Sequence, residues 1–184
     1  LSCPLPVLVL QPRTPMPLVT PQPASAEQLQ ALANALRTAG LEPIQQPEEL
    51  QRLSHDFHDF SPLLTPLLQG CRAQLAVRAS SVEQVRLVAG ACFRFEVPLT
   101  LRGAGTGNYG QCVPLAGGLV LDLGGLKRLR QLEPDTRALW VEAGALLADI
   151  DAELLPHGRA LRLAPSTWRS ATVGGFIAGG SGGI

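Results

Sequence analysis

The sequence predicts a domain that combines α-helices with β-strands and that carries glycine-rich loops at its ligand site. Two observations lead to this prediction. A strand–helix–strand pattern spans residues 73–101, and a glycine-rich loop at 103–110 follows it directly. Beyond this loop, the sequence indicates three short strands and one helix between residues 118 and 155.

The first element is a proline-rich leader over residues 1–24. Seven prolines fall within the first 23 residues. Proline at this density disfavours both helices and central strands, because its ring fixes φ and removes the amide donor. We therefore expect a flexible or extended segment here.

A helical leader segment is predicted next, over residues 25–70. Ser25 and Gln28 have the spacing of a capping box ahead of apolar residues at helical spacing, and a glycine is placed to end that helix. A second, shorter helix is indicated from Pro47. Residues 54–70 are expected to be irregular, because two prolines and a glycine interrupt them.

The main domain is predicted over residues 71–184. A strand at 73–79 leads to a helix with Ser80 as its N-cap and Glu83 at its third position, and a strand at 97–101 follows. This unit places the glycine loop at the carboxyl end of a strand, where open α/β sheets bind ligands. Further strands are indicated at 118–123, 129–133 and 138–143, and a helix at 145–155.

Composition excludes several classes of protein. The length of 184 residues suits one domain, and 46% apolar residues can build a core. The chain has 15 basic residues (lysine and arginine) and 15 acidic residues (aspartate and glutamate). It therefore lacks the basic excess of nucleic-acid-binding proteins. Lys127 is the only lysine, and it is preceded by Leu126 and not by the glycine that a P-loop requires, which excludes a P-loop NTPase.

Cysteines and apolar runs indicate the compartment. Four separated cysteines form no Cys-x-x-Cys pair, which argues against a zinc ribbon or a redox dithiol. Their small number favours a reducing compartment. No apolar run is long enough for a transmembrane segment, and residues 1–10 lack the basic start of a secretory signal. We expect a cytoplasmic protein and leave a peripheral membrane association open. The start at Leu1 and the end inside a glycine run suggest a fragment of a longer protein.

The loop at 103–110 is the strongest local motif. Gly105, Gly107 and Gly110 match Gly-x-Gly-x-x-Gly, but a dinucleotide-binding site of the Rossmann type needs a helix directly afterwards, and Pro114 with a glycine pair follows instead. The glycine amides can instead form a nest for phosphate oxygens, with side-chain donors from Thr106 and Asn108. An ordinary long loop is the alternative.

A second glycine-rich cluster covers residues 172–183. Small residues at this density let the backbone approach a flat ligand or another helix closely. Residues 179–183 also match Gly-x-Ser-x-Gly, the nucleophile elbow of α/β-hydrolases. That motif needs a strand before the serine, and glycines are poor strand residues, so we do not favour a hydrolase.

The remaining polar cluster, His55, His58 and Asp59, has a spacing that could gather metal ligands on one helical face. No further cysteine or histidine cluster completes such a set. We therefore interpret the stretch as solvated and expect no metal site. No pair of carboxylates stands out as an acid/base couple.

Five motifs in the same order resemble the FAD-binding domain of the vanillyl-alcohol oxidase and p-cresol methylhydroxylase superfamily, known as the PCMH type. The resemblance covers about residues 74–184 and is strongest to the group of glycolate oxidase subunits and D-lactate dehydrogenases. The motifs are 98–107 (PLTLRGAGTG), 117–123 (GGLVLDL), 141–144 (VEAG), 165–166 (PS) and 172–175 (TVGG).

The resemblance implies an α+β fold with two lobes, a small βαβ lobe and part of a larger mixed-sheet lobe, incomplete at the carboxyl end. The cofactor would lie between the lobes, with its pyrophosphate on the first glycine loop and its isoalloxazine and ribityl chain beside the later motifs. The cofactor-binding residues that this implies are Arg102, Gly103, Ala104, Gly105, Thr106, Gly107, Asn108, Pro165, Ser166, Thr172, Gly174, Gly175 and Gly179.

The resemblance also implies a function: oxidation of a 2-hydroxy acid or similar alcohol by hydride transfer to FAD, within an enzyme that can have a partner subunit. Some members attach FAD through a histidine of the first loop, and no histidine lies within 103–118, so we expect non-covalent FAD. Cys112 could lie near the phosphates. We name no catalytic residue, because the substrate-binding part lies beyond Ile184 in the family. A non-catalytic binding or interaction module is the alternative.

Overall fold

A three-stranded parallel sheet forms the centre of the first lobe. The computed structural model describes residues 22–133 and 138–183. Strands β1 (Leu75–Arg78), β2 (Leu99–Arg102) and β3 (Leu119–Asp122) lie in the order β1-β3-β2. The central strand β3 pairs in parallel with both neighbours and is buried along its whole length. Buried on both faces, it has the continuous apolar run typical of parallel sheets.

Helices cover both faces of this sheet, and the side chains of β3 alternate between them. Leu119 and Leu121 point into a core formed with helices α1 (Ala26–Thr38) and α4 (Val82–Arg94). Val120 points to the opposite face, into a smaller cluster with α2 (Pro47–Leu53). The lobe is therefore a three-layer βαβ unit with α4 as the crossover helix.

The capping predictions are partly confirmed. Ser25 and Gln28 form the predicted capping box of α1. At α4, however, Ser81 is the N-cap and accepts a hydrogen bond from the Gln84 amide at 3.2 Å, so the prediction of Ser80 was wrong by one residue. The Ser80 hydroxyl and amide bind the Gln84 side chain instead.

Residues 54–70 are more ordered than predicted. A 3₁₀ helix spans Phe57–Phe60 and helix α3 spans Leu64–Leu68. Asp56 starts the 3₁₀ helix by accepting a hydrogen bond from the His58 amide at 2.9 Å. Helix α3 tolerates its proline because Pro66 lies in the first turn, where amides have no partner within the helix.

The second lobe has its own core. Strands β4 (Leu129–Glu133) and β5 (Ala138–Val141) form an antiparallel pair. Helix α5 (Leu147–Leu154) packs on them and runs into a 3₁₀ turn that ends at Gly158, which has a φ of 63°. Helix α6 (Val173–Ala178) completes the described part and was not predicted.

The result is the predicted two-lobed α+β architecture, with one difference at its start. The proline-rich leader lies outside the described residues up to position 21. Its last residue, Ala24, is buried, and its backbone exchanges two hydrogen bonds with the Gln74 side chain. The packed structure therefore begins before Ser25.

Candidate functional site

The first glycine-rich loop leaves the carboxyl end of β2 with its backbone donors free. Among the described residues, no amide of residues 103–108 donates a hydrogen bond to a protein acceptor. Nor do the side chains of Thr106 and Asn108 bond to another described residue, and Ala104 and Asn108 are exposed. Six consecutive amides without protein acceptors are a cradle for an anionic group such as a pyrophosphate. The loop residues therefore fit a dinucleotide cofactor.

No helix follows this loop. Residues 111–118 form turns, with Gly117 and Gly118 both at positive φ. The rejection of a Rossmann-type site is confirmed, because that site depends on a helix N-terminus directly after the glycines. The free donors at this edge of the sheet are therefore backbone amides of a loop, without the N-terminus of a helix behind them.

Arg102 lies beneath the loop. Its side chain is 7% exposed, and Nη1 donates to the carbonyls of Leu53 at 3.1 Å and His55 at 2.6 Å. Gly105 has a φ of 72°, and a Cβ at this position would overlap the guanidinium. Arg102 thus supports the loop from inside the protein and supplies positive charge there. Direct contact of Arg102 with a cofactor stays a prediction.

Cys112 completes the layer under the loop. Its sulfur accepts a hydrogen bond from Arg102 Nη1 at 3.2 Å. Burial raises the pKa of the Cys112 thiol, and the nearby Arg102 charge opposes this shift only in part. The thiol therefore stays protonated at neutral pH and is a poor nucleophile.

The segment from Leu53 to His58 also packs against the loop, a contact that the sequence does not predict. The Phe57 amide donates to the Gly107 carbonyl at 2.8 Å. Asp56 and His58 are 2% and 4% exposed, so the interpretation of this stretch as solvated was wrong for both residues. Asp56 Oδ2 is buried without a hydrogen-bond partner among the described residues. It lies 3.4 Å from the position of a Cβ on Gly107.

The second glycine-rich cluster begins with a fixed turn. Thr172 is 3% exposed, and its Oγ1 accepts a hydrogen bond from the Gly175 amide at 3.3 Å, which caps α6. The amides of Val173 and Gly174 donate to the carbonyls of Ala145 and Ala143 at 2.9 and 2.8 Å. Helix α6 therefore docks on the turn that follows β5.

Thr172 brings the two clusters together. A Cβ on Gly103 would overlap Thr172 Oγ1, so the first loop and the start of α6 are in contact. Gly175 and Gly179 are exposed beside this contact. Pro165 and Ser166 lie in the preceding turn, where the Pro165 carbonyl accepts from the Trp168 amide. Within the described residues, neither of them bonds to the loop.

The nucleophile-elbow alternative is excluded by what precedes the serine. Ser181 follows helix α6, whereas the motif requires a strand before it. Two open clefts, of about 400 and 600 Å³, are lined only by residues outside both glycine-rich clusters. The candidate site is thus the surface where residues 103–108 meet residues 172–179.

A second charged cluster holds the turn on which α6 docks. Glu142 is 6% exposed, and its carboxylate accepts from the Arg128 amide and Nε, each at 3.0 Å, and from Arg130 Nη2 at 2.7 Å. The hydrogen bond from the Arg128 amide, aided by both guanidinium groups, holds the pKa of Glu142 below its usual value. Glu142 is therefore ionised at neutral pH and fixes the start of the turn at 142–145.

A two-lobed α+β fold with a cradle of free amides between its lobes is typical of a domain that binds a nucleotide cofactor. Residues 73–184 match the family described as an FAD binding domain, and the chain belongs to this family. It is a flavoprotein domain related to oxidoreductases, with FAD as its cofactor.

The relatives include two named after hydroxy acids. The glycolate oxidase subunit GlcD of Escherichia coli is 32% identical over 113 residues, which cover 61% of this chain and 23% of that protein. A D-lactate dehydrogenase of Archaeoglobus fulgidus is 30% identical over 131 residues, which cover 71% of this chain and 29% of that protein. The chain thus spans about a quarter of the length of these relatives.

The solved structures support the fold. p-Cresol methylhydroxylase with substrate bound superposes with a TM-score of 0.66 at 16% identity, covering 85% of this chain and 30% of that one. Together with the family match over residues 73–184 and the two relatives, this similarity of fold confirms the predicted PCMH-type resemblance. In the part of the chain that the structure describes, no helix combines the length and the apolar character needed to cross a membrane.

Proposed function

We propose that this chain is the FAD-binding part of an enzyme that oxidises a 2-hydroxy acid or a similar alcohol. The observation that carries the proposal is the run of free amides at 103–108 in contact with Thr172. The substrate class is supported by the names of the relatives, since glycolate and D-lactate are both 2-hydroxy acids.

The roles of the residues follow from their positions. The amides of residues 103–108 would hold the pyrophosphate oxygens, and Thr106 and Asn108 would add side-chain donors at the same loop. The buried guanidinium of Arg102 places a positive charge behind the amides, which favours an anion in front of them. Thr172 fixes the start of α6 so that the exposed Gly175 and Gly179 can be approached closely by a flat ring system, while Gly174 packs against Ala143.

The chemistry that bound FAD would supply is the acceptance of a hydride from the carbon that carries the substrate hydroxyl. The described residues bind and orient, and none is assigned as the catalytic base. The attachment we propose is non-covalent: residues 103–118 contain no histidine, and Cys112 is buried with a raised thiol pKa.

The partner and the location are part of the same proposal. GlcD is named as a subunit, which supports a partner subunit for this protein. The location we propose is cytoplasmic, with or without peripheral association with a membrane. Its support is that the chain has only four cysteines and that they are widely spaced, which fits a reducing compartment.

The test is a flavin assay on the full-length protein. We expect a yellow protein that releases free FAD into the supernatant on acid precipitation. In protein reconstituted with FAD, we expect 2-hydroxy acids to reduce the bound flavin. Colour that stays in the pellet would contradict non-covalent binding. A protein that takes up no FAD would contradict the enzyme and support the interaction module.

A pair of glycine variants locates the site. Gly105→Ala combines left-handed backbone strain of about 1–2 kcal/mol with overlap onto the Arg102 guanidinium. We expect at least tenfold weaker FAD binding. Gly158→Ala is the matched control, because Gly158 also has positive φ but has no atom within 4 Å of an added Cβ and lies in the other lobe. Equal loss of FAD in both variants would argue against a cofactor site at the loop.

A further inference from the structure

The 3₁₀ helix beside the glycine loop gathers three side chains that can bind a metal ion. One donor atom each from His55, His58 and Asp59 lies within 4.8 Å of the other two. His55 Nε2 is 2.9 Å from Asp59 Oδ2, and His58 Nε2 is 3.6 Å from Asp59 Oδ1. Two ligands at about 2.0–2.1 Å from a tetrahedral ion are about 3.3 Å apart, so the widest separation would have to close by up to about 1.5 Å. The exposed side chains of His55 and Asp59 have the freedom to make this movement.

The orientation of His58 is the second, independent observation. Its Nδ1 lies 2.7 Å from Asp56 Oδ1, and its backbone amide donates to the same oxygen at 2.9 Å. A carboxylate acceptor holds the proton on Nδ1 and leaves the lone pair on Nε2, the atom that faces Asp59. Histidine ligands of metal ions are oriented by carboxylates in this way.

The charge balance of the cluster also favours a cation. Asp56 is 2% exposed, and its Oδ2 has no hydrogen-bond partner among the described residues. A buried carboxylate without full pairing is costly, and a dipositive ion on the imidazole that it holds would offset its charge.

Access to the site is open on one side. The side chains of His55 and Asp59 are 47% and 57% exposed, whereas that of His58 is 5% exposed. The arrangement therefore has one buried, fixed ligand and two ligands at the surface. An ion held there would keep a coordination position for water.

We propose that His55, His58 and Asp59 form a binding site for a divalent transition-metal ion of the zinc class. Two imidazoles and one carboxylate suit Zn²⁺, Co²⁺ or Ni²⁺ better than Mg²⁺ or Ca²⁺, which prefer oxygen ligands. This proposal replaces the expectation from the sequence that the stretch holds no metal. The ion would join His55 to Asp59 across the 3₁₀ helix whose Phe57 amide holds the Gly107 carbonyl.

The experiment is a calorimetric titration of Zn²⁺ into the full-length protein after treatment with a chelator and dialysis. We expect one Zn²⁺ per chain, and thermal unfolding at a higher temperature when Zn²⁺ is present. His55→Ala and Asp59→Asn should each weaken binding at least tenfold. Both side chains are exposed, and the His55 carbonyl that accepts from Arg102 is retained, so neither variant should prevent folding.

The third histidine provides the matched control. His157 is exposed in the second lobe, so His157→Ala should bind Zn²⁺ like the wild type. Cys71→Ser is a second control: it removes the half-buried Cys71 thiol and should also bind Zn²⁺ like the wild type. No Zn²⁺ uptake, or loss of uptake in either control but not in His55→Ala, would overturn the proposal and leave a hydrogen-bonded His–Asp network.

Asp56→Asn tests the orientation of His58. We expect roughly 10–100-fold weaker Zn²⁺ binding, with binding partly retained because all three ligands remain. The titration needs no flavin, and protein stripped of FAD should give the same result. Failure of the flavin proposal would therefore leave this result intact, and the reverse also holds.

Discussion

The two glycine-rich clusters use glycine for different purposes. In residues 103–108, the glycines make room for side chains that pack from inside the protein, Arg102 under Gly105 and Thr172 beside Gly103, while the amides stay free. In residues 172–179, Gly174 makes room for the backbone of the second lobe, because a Cβ there would lie 2.7 Å from the Ala143 carbonyl oxygen. The amides of this cluster are largely used by the protein, within α6 and on the turn after β5.

This difference separates two tasks. The first cluster presents unpaired donors, so it is the part that can bind an anion. The second is held in place by its own lobe and provides a close surface. The two clusters meet at one contact, Gly103 against Thr172 Oγ1. Variants at that contact and on either side of it can therefore test whether the first cluster binds the cofactor and whether the second cluster docks on its own lobe.

Among variants at the contact between the two clusters, the largest effect should come from Gly103→Ala. The added Cβ would overlap Thr172 Oγ1, and overpacking of this kind costs about 1–3 kcal/mol. We expect a lower free energy of unfolding and at least tenfold weaker FAD binding, measured by denaturant titration and by fluorescence of released flavin.

A double-mutant cycle sharpens this prediction. Thr172→Ala alone should cost about 0.5–2 kcal/mol because it removes the N-cap of α6. Without Thr172 Oγ1, the nearest neighbour of a Cβ added to Gly103 lies at 3.5 Å. The loss of stability in the double variant should therefore be smaller than the sum of the two single losses. Full additivity would show that the two clusters do not touch in solution.

A smaller effect should come from Glu142→Gln, which weakens the docking of the second cluster only. Because the pKa of Glu142 is lowered in the folded protein, ionisation of this carboxyl stabilises the fold above its unfolded pKa of about 4.5. That contribution is lost as the pH falls through the lower, folded value. We expect the midpoint of thermal unfolding to fall by a few degrees at pH 7, with the gap to the wild type closing below pH 4.5.

The control for Glu142→Gln is the salt dependence. The two arginines that pair with Glu142 are more than half exposed, so high salt should reduce the gap in part, while the backbone hydrogen bond from Arg128 is retained. A gap that is the same at pH 4 and pH 7 would show that the ionised carboxylate is not what holds the turn.

The first cluster could be predicted from the sequence because its signals are local. The strand–helix–strand spacing and the glycines of residues 103–110 fix a loop at the end of β2 without any knowledge of distant contacts. The amide cradle was thus predictable, whereas the layer beneath it was not. The segment that carries the buried Asp56 and His58 is held under the loop by Arg102, which binds the carbonyls of Leu53 and His55, almost fifty residues away in the chain.

Helix α6 was missed for a related reason. Its glycines disfavour a helix by about 1 kcal/mol each, so local propensity argues against it. The Thr172 cap and the hydrogen bonds of the next two amides to the second lobe outweigh that propensity. Tertiary contacts that a single sequence does not reveal therefore decide the second cluster.

The smallest effect, and one of opposite sign, is expected at a glycine that serves neither purpose. Gly90 is exposed within α4, has no positive φ, and an added Cβ there would meet no atom within 4 Å. Gly90→Ala should stabilise the protein by about 0.5–1 kcal/mol, because alanine has the higher helix propensity. FAD binding should not change. Denaturant unfolding measures the gain, and a loss of stability would mean that α4 packs differently from the structure described. The glycines at 103, 105 and 174 differ from Gly90 because each has a neighbour at the position of the missing side chain. Alanine should therefore lower the free energy of unfolding at these three positions and raise it at Gly90.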